Sequence, residues 1–316
     1  TALCSKEGEA MKKEDKAYSL QINRVKPWTN AAYNLLFAIL AACAILPVIF
    51  VFMISISSEE SIRQVGYSFF PVQFSNKAYA FLWNERSTIL GALTVSVGVT
   101  CIGTLLGLTL TTAMGYSLSR PEFRLKKFYT WVIFIPMLFS GGLVASYVVN
   151  ANILKLRNTI WVLILPLAVS SYNIVICKTF FRSTVPEGIV ESAMIDGASQ
   201  LRIFTSIVIP ISKPLLATIS LFLCFGYWND WFLSSLYISK KNLISLQALL
   251  NNIMRSLEYM TNNPTAGVSL QQYRAQMPSE SVRMAIAIVI VIPIACAYPF
   301  FQKYFISGLT IGAVKG

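Results

Sequence analysis

Residues that could take part in chemistry are scarce in this sequence, and the polar segment 183–213 contains the most prominent of them. Its acidic side chains are Glu187, Glu191 and Asp196. The sequence has no histidine, which excludes a His-based metal site, a Ser-His-Asp triad and a phosphohistidine relay in this chain. The six cysteines lie in or beside apolar stretches or in the amino-terminal tail, so we predict neither a disulfide framework nor a metal site.

A second polar group, Trp228-Asn229-Asp230-Trp231, lies inside an apolar stretch. A carboxylate at the centre of a membrane costs roughly 2.5–3.5 kcal/mol, and Asp230 lies beyond the centre, about 16 residues into its stretch, where the cost is lower. Aromatic faces with amide and carboxylate groups suit a sugar, which makes this a candidate substrate pathway. The alternative, which we favour, is structural: tryptophans gather at membrane interfaces, and an Asn-Asp pair can cap or join helices.

Weaker candidates for the pathway are Tyr172 and Asn173, in another apolar stretch.

The composition is that of a membrane protein. Hydrophobic residues make up 55% of the chain and charged residues 13%, and the mean hydropathy is +0.60, whereas soluble domains carry about 25% charged residues. Six apolar stretches have the length of a membrane-spanning helix: about 31–56, 88–118, 128–150, 158–177, 214–236 and 284–302. We therefore expect an all-α membrane protein with six spans, the first of which is too long for a cleaved signal peptide.

The distribution of Lys and Arg predicts the orientation. With both termini in the cytosol, 16 of the 26 basic residues fall on the inner side, as cytosolic loops prefer. The net charge of +12 is scattered over loop ends without interleaved aromatic residues, so it indicates membrane lipid and not nucleic acid as the partner.

Three regions follow from these patterns: a cytosolic tail with an interfacial helix (1–30), a six-helix transmembrane domain (31–305) and a cytosolic carboxyl tail (306–316). The interfacial helix is expected from Tyr18 to Trp28. Within the spans, Gly103 and Gly107 have the spacing that allows helices to approach closely. Pro136 and the pair Gly141-Gly142 predict a break in the third span.

Segment 183–213 is predicted to be a helical hairpin. Pro186 suits the first turn of a helix and Gly197 suits the left-handed residue that ends one. One apolar face is expected from four residues: Ile189, Val190, Ala193 and Met194. A second helix should begin at Ser199. Because a helix this short is marginal in water, its apolar face should dock against a partner or lie on the membrane.

The hairpin and its surroundings resemble a known family. The spacing of Glu191, Ala193 and Gly197, followed by Ile207, Ile209 and Pro210, resembles the Glu-Ala-Ala loop of permease subunits of ATP-binding-cassette importers. Further resemblance to carbohydrate-uptake permeases of the maltose-transporter type runs through these segments: Asn158-Thr-Ile-Trp161, Phe180-Phe181, Trp228-Asn-Asp-Trp231, and Phe300 to Gly316.

This resemblance implies a type I importer permease whose hairpin carries a coupling helix that inserts into a partner ATPase. Carried over, the ATPase-coupling residues are Glu191, Ser192, Ala193, Asp196 and Gly197, with Lys315 and Gly316 of the carboxyl tail. Glu191 would pair with a basic group, and Ala193 and Gly197 would allow close approach. The sequence departs from the family at Ser192, where alanine is usual, and at Ile209, where leucine is usual; both replacements are similar in size.

The implied complex contains a second, different permease, two ATPase copies, an extracytoplasmic solute-binding protein and an oligosaccharide substrate, in a bacterial cell membrane. The sequence lacks a glycine-rich loop ending in Gly-Lys-Ser or Gly-Lys-Thr. ATP and Mg²⁺ would therefore bind to the ATPases, with no cofactor and no catalysis in this chain. The alternative is a stand-alone secondary sugar carrier that uses Asp230 for ion coupling; a membrane enzyme is disfavoured because histidine and clustered acids are missing.

Overall fold

The protein is built from helices, as its apolar stretches predict. The computed structural model describes residues 26–262 and 279–313, and in these ranges the only β structure is an isolated bridge between Ser57 and Phe74. The helices are α1 (Pro27–Ser55), α2 (Glu59–Val65), α3 (Lys77–Asn84), α4 (Arg86–Ser119), α5 (Lys126–Leu138), α6 (Gly142–Ile153), α7 (Trp161–Ala168), α8 (Ser171–Thr184), α9 (Glu187–Ile195), α10 (Gln200–Ile211), α11 (Lys213–Asn229), α12 (Phe232–Tyr237), α13 (Leu246–Asn262) and α14 (Ser279–Ala313). The all-α class is confirmed.

Three helices are each long and apolar enough to cross a membrane: α1, α4 and the Glu280–Pro299 part of α14. Two further pairs meet the same test together, α7 with α8 at a bend of 47° and α10 with α11 at a bend of 86°. By length and composition, the described residues therefore contain three continuous spans, or up to five when each bent pair counts as one.

Three of the six predicted stretches are not single helices. The third divides into α5 and α6 before Gly142, whose φ is +78°, which confirms the break predicted from Gly141-Gly142. The fourth divides between α7 and α8, a break that we did not predict. The fifth divides at Asp230 between α11 and α12, where the interpretation that we favoured has the Asn-Asp pair cap or join helices. Apolar composition predicts which segments can lie in lipid. It does not predict where a helix breaks, because a break requires neighbouring helices that satisfy the freed backbone groups.

Helix α4 is the centre of the bundle, with α7, α8 and α11 packed along it. Its glycines make this possible: a Cβ on Gly103 would enter the ring of Tyr227, and a Cβ on Gly107 would lie 2.7 Å from the carbonyl oxygen of Ala168. The packing role predicted for Gly103 and Gly107 is therefore confirmed. The Tyr227 hydroxyl donates to the carbonyl of Ile164, one turn before α7 ends, at 2.8 Å.

A second cluster of buried apolar residues lies around the amino-terminal part of α4, where α3, α13 and α14 meet. The backbone N–H of Leu246 donates to the Ser96 hydroxyl at 2.8 Å, which fixes the start of α13 against α4. We call this end of the bundle the far end, and the end with α9 and α10 the hairpin end. Helix α13 lies between the fifth and sixth predicted stretches, where we had not predicted a helix.

The last helix begins at Ser279, five residues before the sixth predicted stretch, and a residue from the first connecting segment caps it. The Glu59 carboxylate accepts hydrogen bonds from the backbone N–H groups of Glu280 and Ser281 at 3.2 and 3.4 Å. An acid at this position also opposes the positive end of the helix dipole. The helix continues to Ala313, past residue 305, where we had placed the end of the transmembrane domain.

Helix α1 packs along α14 and leaves most of its apolar side chains exposed. Such a surface is stable in lipid or against another protein, and unstable in water. The predicted interfacial helix from Tyr18 lies almost entirely outside the described residues, and Trp28 belongs to the first turn of α1.

Candidate functional site: the hairpin and the elbow

The first helix of the hairpin, α9, is closed by Gly197 as predicted, and it begins directly after Pro186, which we had placed in its first turn. Pro186 occupies the N-cap and Glu187 the first turn. At the other end, Gly197 adopts a φ of +77°, and the N–H groups of Gly197 and Ala198 donate to the carbonyls of Met194 and Ala193, both at 3.0 Å. This is a Schellman motif, which only a residue tolerant of the left-handed region closes without strain. Gly197 is therefore a structural requirement of the turn.

The inner face of α9 packs against the chain's own core. Val190 and Ala193 are buried in the cluster that also contains Phe181 of α8 and Ile203 of α10. Ile189, which we had placed on the same apolar face, is exposed, because the contact runs along the row of Val190 and Ala193. The small side chain of Ala193 thus permits close packing within this chain.

Tyr116, at the carboxyl end of α4, holds the hairpin to the bundle. Its ring lies 5.0 Å from the ring of Phe204 in α10 and packs edge-on against Phe181 at 6.0 Å, measured between centroids. The Arg120 guanidinium lies 4.9 Å from the centroid of the same ring. The second helix, α10, begins at Gln200, one residue after the predicted start. Ser199 is its N-cap, and the Ser199 hydroxyl accepts a hydrogen bond from the Arg202 N–H at 3.3 Å.

The outer face of the hairpin combines acidic and apolar side chains. Glu191 and Asp196 are exposed, and so are Ile195 and Leu201, at 86% and 72% of their surface. The Ser192 hydroxyl donates to the carbonyl of Gly188 at 2.8 Å within α9. Neither Ile195 nor Leu201 was singled out from the sequence, although both are apolar residues beside a predicted turn. A surface of this kind suits a cleft with an apolar floor and basic groups.

The Trp-Asn-Asp-Trp sequence forms an elbow between α11 and α12. The Asp230 carboxylate accepts a hydrogen bond from the Leu233 N–H at 3.3 Å, and the Ser245 hydroxyl donates to the Asp230 carbonyl at 3.3 Å. The capping role that we favoured for Asp230 is what the structure shows. Ser245 N–H also donates to the Ser234 hydroxyl at 3.0 Å, so the elbow is tied to the start of α13.

The two tryptophans of the elbow point to different environments. Trp228 is 6% exposed, belongs to the far-end cluster and donates its indole N–H to the Ile290 carbonyl at 3.3 Å. Its ring is therefore not an open platform for a sugar. Trp231 is 39% exposed, and the guanidinium of Arg255 from α13 lies 5.4 Å from its ring centroid. Arg255 was not identified from the sequence.

The remaining predicted residues are scattered. Asn229 is exposed and donates to the Phe225 carbonyl at 3.0 Å. Tyr172 is exposed on α8, and Asn173 beside it is buried. Lys315 and Gly316 lie outside the described residues. Among the described residues, no group of three or more Cys, Asp or Glu side chains could hold a metal ion.

The sequence and the fold are both similar to those of known proteins. Residues 103–311 match the family described as binding-protein-dependent transport system inner membrane component. Protein LplC of Bacillus subtilis strain 168 is 34% identical over 275 residues, which cover 87% of this chain and 90% of LplC. The polygalacturonan/rhamnogalacturonan transport system permease protein YtcP of the same organism is 34% identical over 294 residues, which cover 93% of this chain and 99% of YtcP.

Among solved structures, a bacterial ABC transporter involved in the import of the acidic polysaccharide alginate superimposes with a TM-score of 0.75. That chain is 26% identical in sequence, and the match covers 90% of this chain and 98% of that one. The likeness therefore extends over nearly the whole fold.

Proposed function

The chain belongs to the family of binding-protein-dependent transport system inner membrane components, and from this premise we propose that its hairpin couples a partner ATPase to sugar import. The chain is a permease subunit of an ATP-driven importer of oligosaccharides. The alternative of a stand-alone secondary carrier gains no support, because the family and the structural neighbour both describe transport systems with further components.

The observation that carries the coupling proposal is the two-sided construction of α9. One side, Val190 and Ala193, is buried in the core of the bundle, and the other side presents Glu191 and Asp196 to the surroundings. The neighbouring Ile195 and Leu201 leave apolar surface exposed at the same end. An ATPase cleft with basic groups around an apolar floor would complement this surface in both charge and polarity.

Transmission of movement follows from the packing of the inner side. Val190 shares one buried cluster with Phe181 of α8 and Tyr116 of α4, and the same cluster continues through Leu223 and Tyr227 of α11. Densely packed side chains transmit displacement because they compress little. A rotation of the hairpin by the ATPase therefore carries α4, α8 and α11 with it, which is the step that would open one side of the pathway and close the other.

We place the hairpin end in the cytosol together with both termini, on the basis of the Lys and Arg distribution. The complex would contain two ATPases, which bind ATP and Mg²⁺, a second and different permease, and a solute-binding protein at the far end. Lys315 and Gly316 remain proposed contacts of the ATPase pair. The membrane is that of a bacterial cell.

An affinity purification from mild detergent tests the assembly. The tagged chain, expressed with its genomic neighbours, should copurify with an ATPase and a second permease, and the complex should hydrolyse ATP. Recovery of the chain alone, with sugar uptake intact in liposomes that contain no other protein, would contradict the proposal and support a secondary carrier.

A charge reversal in the hairpin tests the coupling contact. Glu191→Lys should leave the chain inserted and ATP hydrolysis present, but reduce sugar uptake per ATP by about tenfold or more, because the lysine repels a basic cleft. The control is Glu122→Lys, the same charge change at an exposed residue of the hairpin end outside α9 and α10. Normal uptake by the Glu191 variant at normal expression would refute the contact.

A further inference from the structure

A cation with no carboxylate partner among the described residues lies against an exposed aromatic ring at the far end of the bundle. Arg255 is exposed, and its guanidinium lies 5.4 Å from the ring centroid of Trp231. Glu258, one turn further along α13, is not within 4.0 Å of this guanidinium, and neither is any other carboxylate of the described residues. The positive charge is therefore held in place by an aromatic ring and α13, and it remains available to an anion.

The backbone around this pair is fixed by buried contacts. Helix α13 is anchored through Leu246 and Leu250, which are both buried, and through the hydrogen bond from Leu246 N–H to Ser96. Trp231 follows directly on Asp230, whose carboxylate is engaged with the Leu233 N–H of α12. Two separately anchored elements thus bring the indole and the guanidinium together, and a ligand that uses both meets a preorganised pair.

Two exposed amide side chains belong to the same two elements as the pair. Asn252 is exposed and lies three residues before Arg255, hence on the same face of α13. Asn229 is exposed on the elbow, and its amide nitrogen is engaged with the Phe225 carbonyl, which leaves its amide oxygen as an acceptor. Phe232 packs perpendicular to Trp231, with ring centroids 5.8 Å apart, and extends the apolar surface.

Each of these groups matches one part of a sugar acid. The indole face offers an apolar surface for the C–H face of a pyranose, the amides suit its hydroxyl groups, and a guanidinium forms short charge-assisted hydrogen bonds with a carboxylate. A neutral sugar would leave the Arg255 charge unused. We propose that Trp231 and Arg255 form a binding site for the uronate unit of an acidic oligosaccharide, an inference that rests on the proposed function and names its substrate class.

The test uses the complete importer with its binding protein in proteoliposomes and two probes, trigalacturonate and neutral galactotriose, each in excess. The wild type should take up trigalacturonate in preference to galactotriose. Arg255→Gln should lower trigalacturonate uptake by about tenfold or more, the loss expected for a hydrogen bond to a charged group. Arg157→Gln removes another exposed arginine, which has no aromatic ring or carboxylate partner among the described residues, and should change uptake by less than about twofold.

Arg255→Lys keeps the charge and loses the planar fork, so its uptake of trigalacturonate should fall between those of the wild type and Arg255→Gln. Trp231→Ala should reduce uptake of both probes, because stacking serves every sugar. Equal loss of both probes in Arg255→Gln would overturn the assignment, since the arginine would then hold the structure or a lipid phosphate. A wild type that does not import trigalacturonate, whether or not it imports galactotriose, would overturn the substrate class and leave the proposed function standing, because the copurification and the Glu191→Lys variant test that function separately.

Discussion

Replacement of Gly115 by alanine would test the packing that joins the pathway helices to the hairpin. Gly115 lies where α4 crosses α8, the helix that leads into the hairpin. An added Cβ would overlap the Cβ of Cys177, and it would lie 3.1 Å from the backbone nitrogen of Lys178 and 3.2 Å from the carbonyl carbon of Cys177. Two of these three atoms belong to the backbone, so a change of rotamer cannot relieve the overlap. Helix α8 must shift away from α4.

The magnitude follows from two opposing effects. Overpacking of a tight contact costs about 1–3 kcal/mol, while alanine in a helix is about 0.8–1.0 kcal/mol more favourable than glycine. We therefore expect Gly115→Ala to lower the free energy of unfolding by about 1 kcal/mol. Gly98→Ala is the matched control on the same helix, because nothing lies within 4 Å of its Cβ position. Gly98→Ala should gain the helix propensity of alanine without any overpacking, so the free energies of unfolding of the two variants should differ by about 1–3 kcal/mol.

The assay is thermal unfolding of the purified complex in detergent, combined with sugar uptake per ATP hydrolysed. Gly115→Ala should unfold at a lower temperature than Gly98→Ala and should couple less well, because α8 positions the hairpin. Cys177→Gly in the Gly115→Ala background removes the overlapping Cβ and should restore part of both properties. Equal unfolding temperatures for Gly115→Ala and Gly98→Ala would show that the helices do not pack as described.

Two tyrosines give further predictions. Tyr227→Phe removes the buried donor to the Ile164 carbonyl and should cost about 1 kcal/mol of stability, whereas Tyr172→Phe, at an exposed ring, should cost little; equal unfolding midpoints would contradict this. The Tyr67 hydroxyl donates to Glu280 at 2.9 Å, and this bond, aided by desolvation, raises the Tyr67 pKa above 10.0. The stability that this hydrogen bond contributes is present below pH 10 and is lost as pH rises through the higher pKa of the folded protein. The tyrosinate titration of the wild type minus that of Tyr67→Phe should therefore show that Tyr67 ionises above pH 10. Ionisation of Tyr67 at pH 10 would refute the prediction.

The two ends of α9 could be predicted because each depends on local backbone geometry. A proline at the N-cap and a glycine with positive φ act through their own backbone, so Pro186 and Gly197 mark α9 without reference to the rest of the fold. The buried face could not be predicted equally well. In a helix of nine residues, the rows of Ile189 and Val190 are neighbours, and the surrounding bundle decides which row is buried.

In the elbow, too, the sequence predicts the local feature but not which side chains become buried. Trp228 and Trp231 belong to one sequence motif, and their residue type alone predicts the same burial for both. The backbone break at Asp230 sends one ring into the far-end cluster and leaves the other exposed. Arg255 follows Trp231 by 24 positions in a different helix, so only the packing of α13 against α4 reveals their contact. The periodicity of residues within one helix cannot predict a contact between side chains of two different elements.

The cap that Glu59 provides to α14 has a consequence for biosynthesis. The carboxylate and the N–H group of Glu280 that it binds are 221 residues apart in sequence. At a translation rate of about 5–20 residues per second, roughly ten to forty seconds pass between the synthesis of these two residues. During this interval the segment around α2 has been made without its final neighbour. The first connecting segment therefore reaches its native arrangement only when the last helix has been inserted, and a chain that stops before residue 279 leaves the bundle open at the far end.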